Sequence, residues 1–131
     1  MLLIRDLQSI ARARLRDAEV LLRARRFDGS MYVCGYAVEI GLKARICRTL
    51  RWVGFPGSNT EFQGYGSFRT HDLDVLLHLS GRESTIKTRH LPEWSVVAMW
   101  DPETRYLPIG SASAADANAM LHSARGVLGA L

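Results

Sequence analysis

Glu39 and Lys43 are the residues of this sequence whose types and spacing point most directly to chemistry. They lie four residues apart with the acid first, which is the favoured order for an ion pair on a helix. Tyr32, Tyr36 and Leu42 predict an apolar arc around them, so we expect the pair to be buried or to face a partner subunit. Two roles stay open: an ion pair that fixes the helix register, or a polar site for a ligand or RNA.

The four histidines do not have the spacing of a metal site. His71 and His78 share a helix face but lie about 10 Å apart along its axis, too far to bind one ion together. His90 and His122 have no Cys, Asp or Glu at ligand spacing. The Gly-Tyr-Gly-Ser run at 64–67 lacks the lysine of a phosphate-binding loop, and no Ser or Cys has a recognisable nucleophile context. We therefore expect no metal and no cofactor.

Helices are predicted to position these residues. Apolar residues recur at spacings of three and four from Ile4 to Arg26, and the segment from Met31 to Trp52 is apolar nearly all round. A helix of the second kind is buried among others, so we expect it at the centre of a bundle. Gly35 and Gly41 would each cost about 1 kcal/mol in a helix interior. We expect them to allow close approach of neighbouring helices.

Local signals predict where the helices start. Asp28 or Ser30 is the expected N-cap of the second helix, and Thr70 the N-cap of a third helix from His71 to Ser80. A fourth helix is predicted from Leu91 to Trp100. A last helix is predicted after Ser113 and Asp116, which have the spacing of a capping box. No segment has a convincing strand pattern.

The connection from Val53 to Arg69 is longer than the usual loop of a bundle and is rich in glycine and aromatic residues. Loops of this length tend to be functional or mobile. Its four aromatic residues indicate that it packs at least partly on the bundle, so we expect a loop that is anchored in places and mobile in others.

Length and composition predict one all-α domain over residues 1–131, an up-and-down bundle of four or five helices. The chain has 131 residues, 47% hydrophobic and 23% charged, which is typical of globular proteins and not of disordered ones. Cys34 and Cys47 fall in apolar helical segments, as buried thiols of a reducing compartment do. No apolar run approaches the roughly 18 residues that a membrane span needs. We expect a cytoplasmic protein without a membrane partner.

The net charge of +4 is concentrated in the first part of the chain. Residues 1–51 contain eleven Lys and Arg against five Asp and Glu, whereas the remainder contains six against eight. Such asymmetry can mark a surface for phosphates or for an acidic partner. Arginine-rich helices are also common in proteins of high-GC bacteria, so a solvated basic face is the plainer interpretation.

Three segments together resemble a HEPN domain (higher eukaryotes and prokaryotes nucleotide-binding). The first is the helix-turn-helix from Ala18 to Arg45, with an aromatic-Asp-Gly turn followed by Gly-Tyr-x-x-Glu-x-x-x-Lys. The others are Arg-Thr-His-Asp-Leu at 69–73 and Trp-Asp-Pro-Glu-Thr-Arg-Tyr at 100–106. The match spans most of the chain in the expected order. The family-like positions are Tyr36, Glu39, Lys43, Thr70, His71, Asp72, Arg105 and Tyr106.

The resemblance implies a helical bundle that forms a homodimer through helix faces. Many relatives are encoded beside a minimal nucleotidyltransferase, as toxin-antitoxin or nucleotide-linked pairs. Active members are metal-independent ribonucleases in which an Arg is followed, after four to six residues, by a His. In that chemistry the Arg stabilises the phosphorane-like charge and the His moves a proton during attack by the RNA 2′-OH.

This sequence lacks the ribonuclease spacing. Seven residues separate Arg82 from His90, and one separates Arg69 from His71. The leading hypothesis is therefore a non-catalytic, homodimeric nucleotide- or RNA-associated module that partners a nucleotidyltransferase. One alternative is a divergent ribonuclease toxin using His71 with Arg69 or Arg105, and another is a purely structural dimerisation module.

Overall fold

A computed structural model describes all residues, 1–131, as a single helical bundle. Its six α-helices confirm the all-α prediction, although three of them have only seven residues. A two-residue strand pair, which the sequence did not predict, joins the start of the chain to the connection after the second helix. In chain order the elements are β1 (Leu2–Leu3), α1 (Ile4–Arg23), α2 (Phe27–Leu50), β2 (Gly54–Phe55), α3 (Leu73–Leu79), α4 (Glu83–Arg89), α5 (Leu91–Val97) and α6 (Ala114–Gly129).

Helix α2 is the centre of the bundle, as its apolar composition predicted. It packs along α1 and α6 and also contacts α3. Buried residues occur on nearly every side of it, from Cys34 and Leu42 on one side to Ala44 and Cys47 on the other. This burial stabilises the bundle by roughly 1.5–3 kcal/mol for each large apolar side chain. A polar residue on α2 therefore meets either the core or a groove between helices.

The two glycines of α2 allow close packing, as predicted. A Cβ on Gly35 would lie 2.1 Å from three atoms of the Trp100 indole, so the indole rests directly on the helix backbone. A Cβ on Gly41 would lie 2.2 Å from the Cδ2 of Leu128 on α6. The first neighbour is a rigid ring and the second is the tip of a flexible side chain.

The predicted start of α2 was wrong by four residues, and neither expected cap residue caps it. The helix begins at Phe27 after Arg26, which makes no side-chain cap. Asp28 instead accepts the backbone N–H groups of Gly110 and Ala112, at 2.7 and 2.8 Å. Ser30 donates its buried hydroxyl to the carbonyl oxygen of Ala18 on α1. Both side chains thus tie α2 to other parts of the fold.

The connection after α2 is anchored by aromatic rings, as expected. Phe55 is buried, and Phe62 and Phe68 pack against the core. Trp52 packs against Phe68 with ring centroids 4.9 Å apart and ring planes inclined by 55°. The antiparallel pairing of Leu2 with Phe55 adds backbone hydrogen bonds that helix periodicity cannot predict.

The second half of the chain differs in its boundaries from the prediction. Helix α3 begins at Leu73, and its N-cap is Asp72 rather than Thr70. Helix α4 was not predicted, and α5 ends at Val97, before the Trp100 that the sequence suggested. A 3₁₀ turn over Pro102–Tyr106 occupies part of the predicted irregular link. The capping box of Ser113 and Asp116 is present as predicted.

None of these helices is long and apolar enough to cross a membrane.

Candidate functional site

The carboxylate of Glu39 lies at the centre of a small polar network on α2. The residue is 2% exposed, and its Oε1 accepts a hydrogen bond from Lys43 Nζ at 3.0 Å. The same oxygen lies 2.5 Å from Nδ1 of His71. Desolvation of a carboxylate costs several kcal/mol unless it is matched. Here Lys43 and His71 are the partners that match the carboxylate of Glu39.

Lys43 is positioned by the connection after α2 as well as by Glu39. Its side chain is largely buried, and Nζ lies 5.4 Å from the centroid of the Phe55 ring. A cation over the face of an aromatic ring is attracted by the ring's quadrupole. The ammonium group is therefore held between a carboxylate and an aromatic face and is not free to reach far into solvent.

His71 is held at one ring nitrogen and exposed at the other end. It lies in the extended segment before α3, and its side chain is 62% exposed. Glu39 contacts Nδ1 and thereby orients the ring, while no hydrogen bond within the chain engages Nε2. A carboxylate in this position fixes the tautomer and orientation of an imidazole. Nε2 is thus the atom that can meet a ligand.

Thr70 and Asp72 hold the backbone around His71. Thr70 Oγ1 accepts the N–H of Asp72 at 3.0 Å. Asp72 Oδ1 accepts the N–H groups of Asp74 and Val75 and so caps α3. Both are family-like positions of the sequence, and Asp72 is also a candidate ligand-binding residue. In the fold their side-chain oxygens accept hydrogen bonds from backbone N–H groups. They position His71.

A tyrosine pair continues the same side of α2 by one to two turns. The hydroxyls of Tyr32 and Tyr36 lie 3.5 Å apart, and the Tyr36 ring packs edge-on against Trp100, with centroids 4.9 Å apart. The hydrogen bond with Tyr32, followed by burial and the nearby negative charges, raises the pKa of Tyr36 to about 12. A tyrosine hydroxyl is protonated at neutral pH even without this shift, so Tyr36 can donate a hydrogen bond.

Arg105 reaches the tyrosine pair from the link that follows α5. Its guanidinium carbon lies 4.7 Å from the centroid of the Tyr106 ring. The neighbouring hydroxyls of Tyr106 and Tyr32 raise the pKa of Arg105, which as an arginine is a cation at neutral pH in any case. Its nearest carboxylate is that of Glu103, 4.0 Å away. Tyr106 is 71% exposed, so an arginine and an aromatic ring face solvent together.

These contacts define what we term the Glu39 face: the side of α2 that carries Tyr32, Tyr36, Glu39 and Lys43, together with His71 and Arg105. The fold connects residues that are up to 73 positions apart in the sequence. Arg105 and Tyr32 line the same pocket, and the hydroxyl of Tyr32 lies 3.5 Å from that of Tyr36. Tyr36 precedes Glu39 by about one helical turn on the same side of α2. Glu39 in turn contacts His71 and Lys43.

Arg69 does not join this network. Its guanidinium carbon lies 5.5 Å from the centroid of the Phe62 ring in the connection after α2. The sequence offered Arg69 as a possible partner of His71, and their side chains make different contacts. Among the arginines named at the sequence level, Arg105 alone touches the Glu39 face.

A pocket of about 450 Å³ adjoins the Arg105 end of this face. Tyr32, Trp100, Thr104 and Arg105 line it, with apolar side chains of the link after α5. The buried hydroxyl of Thr104 has no hydrogen-bond partner within the chain. Sequence reasoning did not select Trp100 or Thr104 as site residues. The available signal was their position inside the Trp-Asp-Pro-Glu-Thr-Arg-Tyr segment.

No family model matches this sequence, and no curated protein or solved structure matches it significantly. The geometry of the Glu39 face and the sequence pattern are thus the grounds for a functional proposal. No group of three His, Cys, Asp or Glu side chains lies close enough together to hold a metal ion.

Proposed function

We propose that this chain is a HEPN-type module that binds a nucleotide or RNA without cleaving it, acts as a homodimer and partners a nucleotidyltransferase. The observation that carries the proposal is the grouping of family-like residues on the Glu39 face. Tyr36, Glu39, Lys43, His71 and Arg105 come from three separate segments and lie along one side of α2. Glu39 contacts Lys43 and His71, and Arg105 lines a pocket with Tyr32, the hydrogen-bond partner of Tyr36. A ligand site explains this grouping together with the exposed cation and aromatic ring at its end.

The chemistry of the exposed groups suits a nucleotide. Arg105 lies against Tyr106, and such a pair offers a stacking surface for a base together with a cation for phosphate. His71 presents a free Nε2, and Tyr36, like any tyrosine at neutral pH, has a hydroxyl proton to donate. Single-stranded RNA is recognised by such stacking and by hydrogen bonds to splayed bases.

The internal balance of the network favours binding over cleavage. Lys43 is held by Glu39 and lies over Phe55, so it does not approach a scissile phosphate. Arg69 lies over Phe62 and does not pair with His71. The sequence also lacks the Arg-to-His spacing of active relatives.

Binding is tested with a fluorescently labelled single-stranded RNA and with 5′-AMP as competitor, measured by anisotropy. We expect Arg105→Gln and His71→Gln each to weaken binding by about tenfold, because each removes a hydrogen bond to a charged group. Arg89→Gln is the matched control, since it removes an equally exposed charge on α4. The RNA should remain intact on a gel.

The proposal is wrong if the protein binds neither nucleotide nor RNA and associates with no nucleotidyltransferase. Binding that all three variants retain equally would remove the Glu39 face as its site. Co-purification of the native protein with a nucleotidyltransferase tests the partner separately.

Exposed apolar side chains on the link after α5 support association with a second copy. Met99 is 83% exposed and Ile109 is fully exposed, beside the exposed Leu107. We expect light scattering to give the mass of a dimer for the native protein and of a monomer for Ile109→Asp. Val53→Asp, at another exposed apolar position, should leave the dimer intact. A monomeric native protein would contradict this part of the proposal.

One contact favours a second candidate function, a divergent ribonuclease that uses His71 with Arg105. The buried carboxylate of Glu39 orients His71 through Nδ1, which is the arrangement that general-base histidines use. Growth arrest on expression, relieved by His71→Ala, would favour this candidate over the binding module. RNA cleavage that persists in His71→Ala would reject the assignment.

A further inference from the structure

A second polar region lies on the opposite side of α2 from the Glu39 face. Arg48 follows Glu39 by about two and a half helical turns, so the two side chains leave the helix in opposite directions. At Arg48, α2 meets α1 and the end of α6, and these elements enclose a pocket of about 230 Å³. The side chains of Arg12, Arg45 and Arg48 line it, and we term it the arginine pocket.

The arginine pocket contains no acidic side chain. Its other lining residues are Gln8 and apolar or small residues of α1, α2 and α6. None of the three arginines forms an ion pair, whereas Arg14, Arg23 and Arg125 elsewhere each pair with an Asp or Glu. Positive charge that is gathered in a concave site without a counter-charge attracts anions.

Arg45, which lines the pocket, and Arg82, which does not, each donate a hydrogen bond to the backbone at the end of the chain. Arg45 Nη1 donates to the carbonyl oxygen of Leu131 at 3.2 Å, and Arg82 Nη2 donates to that of Ala130 at 2.9 Å. These contacts satisfy carbonyls at the end of α6, where a helix dipole favours cations. They leave the Nε atoms of both arginines buried and without a partner. The donors open to a ligand are those of Arg12 and Arg48, whose side chains are exposed.

The guanidinium groups also repel one another. Burial, and then the positive charges of Arg48 and Arg82, lower the pKa of Arg45. An arginine remains protonated despite such a shift, so the repulsion persists in the folded chain. An anion placed among these groups would relieve it.

We propose that the arginine pocket binds a phosphate group, supplied either by a nucleotide or by the backbone of RNA. Guanidinium forks bind phosphate oxygens in pairs, and a phosphate has enough acceptor oxygens and charge for forks from both α1 and α2. A single carboxylate would leave several of these donors unused. The inference is independent of the function proposed for the Glu39 face, because it uses different residues on the opposite side of α2.

The test is an NMR titration that follows the arginine Nε–H resonances at constant ionic strength. The probes are inorganic phosphate, 5′-AMP and a short single-stranded RNA, each added to the native protein and to variants. We expect saturable shifts of the Arg45 resonance. Arg48→Gln and Arg12→Gln should each weaken the phosphate affinity by about tenfold. Arg16→Gln, which removes a charge from the next turn of α1 outside the pocket, should change it less than about twofold.

The three probes separate the sources of the phosphate. Shifts with inorganic phosphate and 5′-AMP at similar concentrations support a nucleotide phosphate. Shifts that RNA produces at much lower concentrations than 5′-AMP support the RNA backbone. The proposal is overturned if no probe shifts the Arg45 resonance, or if Arg16→Gln weakens binding as much as Arg48→Gln does. Loss of binding in Arg105→Gln alone would concern only the Glu39 face.

Discussion

The two polar regions of α2 differ in whether their positive side chains have an acidic partner. On the Glu39 face one buried carboxylate meets both Lys43 and His71, so the charges are balanced within the chain. In the arginine pocket, Arg12, Arg45 and Arg48 lie together with no carboxylate. A balanced network contributes to stability when it is intact and is costly to break. An unbalanced one repels itself and attracts an anion, which is the basis of the phosphate site that we propose.

The packing around the two regions also differs, because a rigid side chain covers one glycine of α2 and a flexible side chain covers the other. Gly35 lies under the rigid indole of Trp100 beside the Glu39 face, whereas Gly41 in the wall of the arginine pocket meets the flexible tip of Leu128. We infer that the Glu39 face is the fixed side of α2 and that the arginine pocket is the side that can adjust.

The largest expected effect comes from removing the buried carboxylate. Glu39→Ala should lower the free energy of unfolding by about 3 kcal/mol, because Lys43 would remain largely buried without its partner. Chemical denaturation measures this value. Glu19→Ala, which removes a partly exposed carboxylate from α1, should cost less than about 1 kcal/mol. Equal costs for the two variants would show that the Glu39 network does not stabilise the fold.

Substitution of the two glycines of α2 should give the next largest difference in the free energy of unfolding. Gly35→Ala should lower the free energy of unfolding by about 2 kcal/mol, because the new methyl group collides with the Trp100 indole. Gly41→Ala should be nearly neutral, because rotation of Leu128 relieves the contact while alanine favours the helix by up to about 1 kcal/mol. Thermal unfolding of both variants measures the difference. A greater loss for Gly41→Ala would reverse the assignment of fixed and adjustable sides.

A smaller effect is expected in the arginine pocket. Arg48→Gln should change the free energy of unfolding by less than about 0.5 kcal/mol, since an exposed cation is lost together with its repulsion of Arg45. Inorganic phosphate should raise the melting temperature of the native protein more than that of this variant. Identical stabilisation of the two proteins would argue that phosphate acts elsewhere.

Asp28, in the first turn of α2, should make the free energy of unfolding depend on pH. The backbone N–H groups of Gly110 and Ala112 lower the pKa of Asp28 below its usual 3.8. A group with a depressed pKa contributes stability above the unfolded value, and this is lost as pH falls through the folded value. Below pH 3.8 the native protein should therefore lose stability more steeply than Asp28→Asn does. Parallel pH profiles from denaturation curves would contradict the role of Asp28.

Local features of the fold could be predicted from the sequence. The apolar run of α2 predicted the central helix, its glycines predicted close packing, and Ser113 with Asp116 predicted the start of α6. Each depends on residues within a few turns of one helix. The pairing of Leu2 with Phe55 could not be predicted in this way, because it joins residues that only the finished fold brings together.

The same division applies to the candidate sites: a contact within one helix could be predicted, whereas contacts between distant segments could not. The spacing of Glu39 and Lys43 predicted their ion pair, and nothing local indicated that His71 would complete it. The side chain of Asp28 had suited a helix cap, yet it binds the backbone 82 positions later. The arginine pocket draws on α1 and on the end of α2, so the basic composition predicted its charge but not its place.

The most direct measurement is an NMR titration of the native protein with single-stranded RNA, observing the imidazole of His71 and the guanidinium of Arg105. If the Glu39 face is the ligand site, both side chains should shift together and saturate with one affinity. In Arg105→Gln the His71 shift should need about tenfold more RNA to saturate, and in Arg89→Gln both shifts should be unchanged. Saturable RNA binding that leaves both His71 and Arg105 unshifted would contradict the assignment of this face as a nucleotide or RNA site.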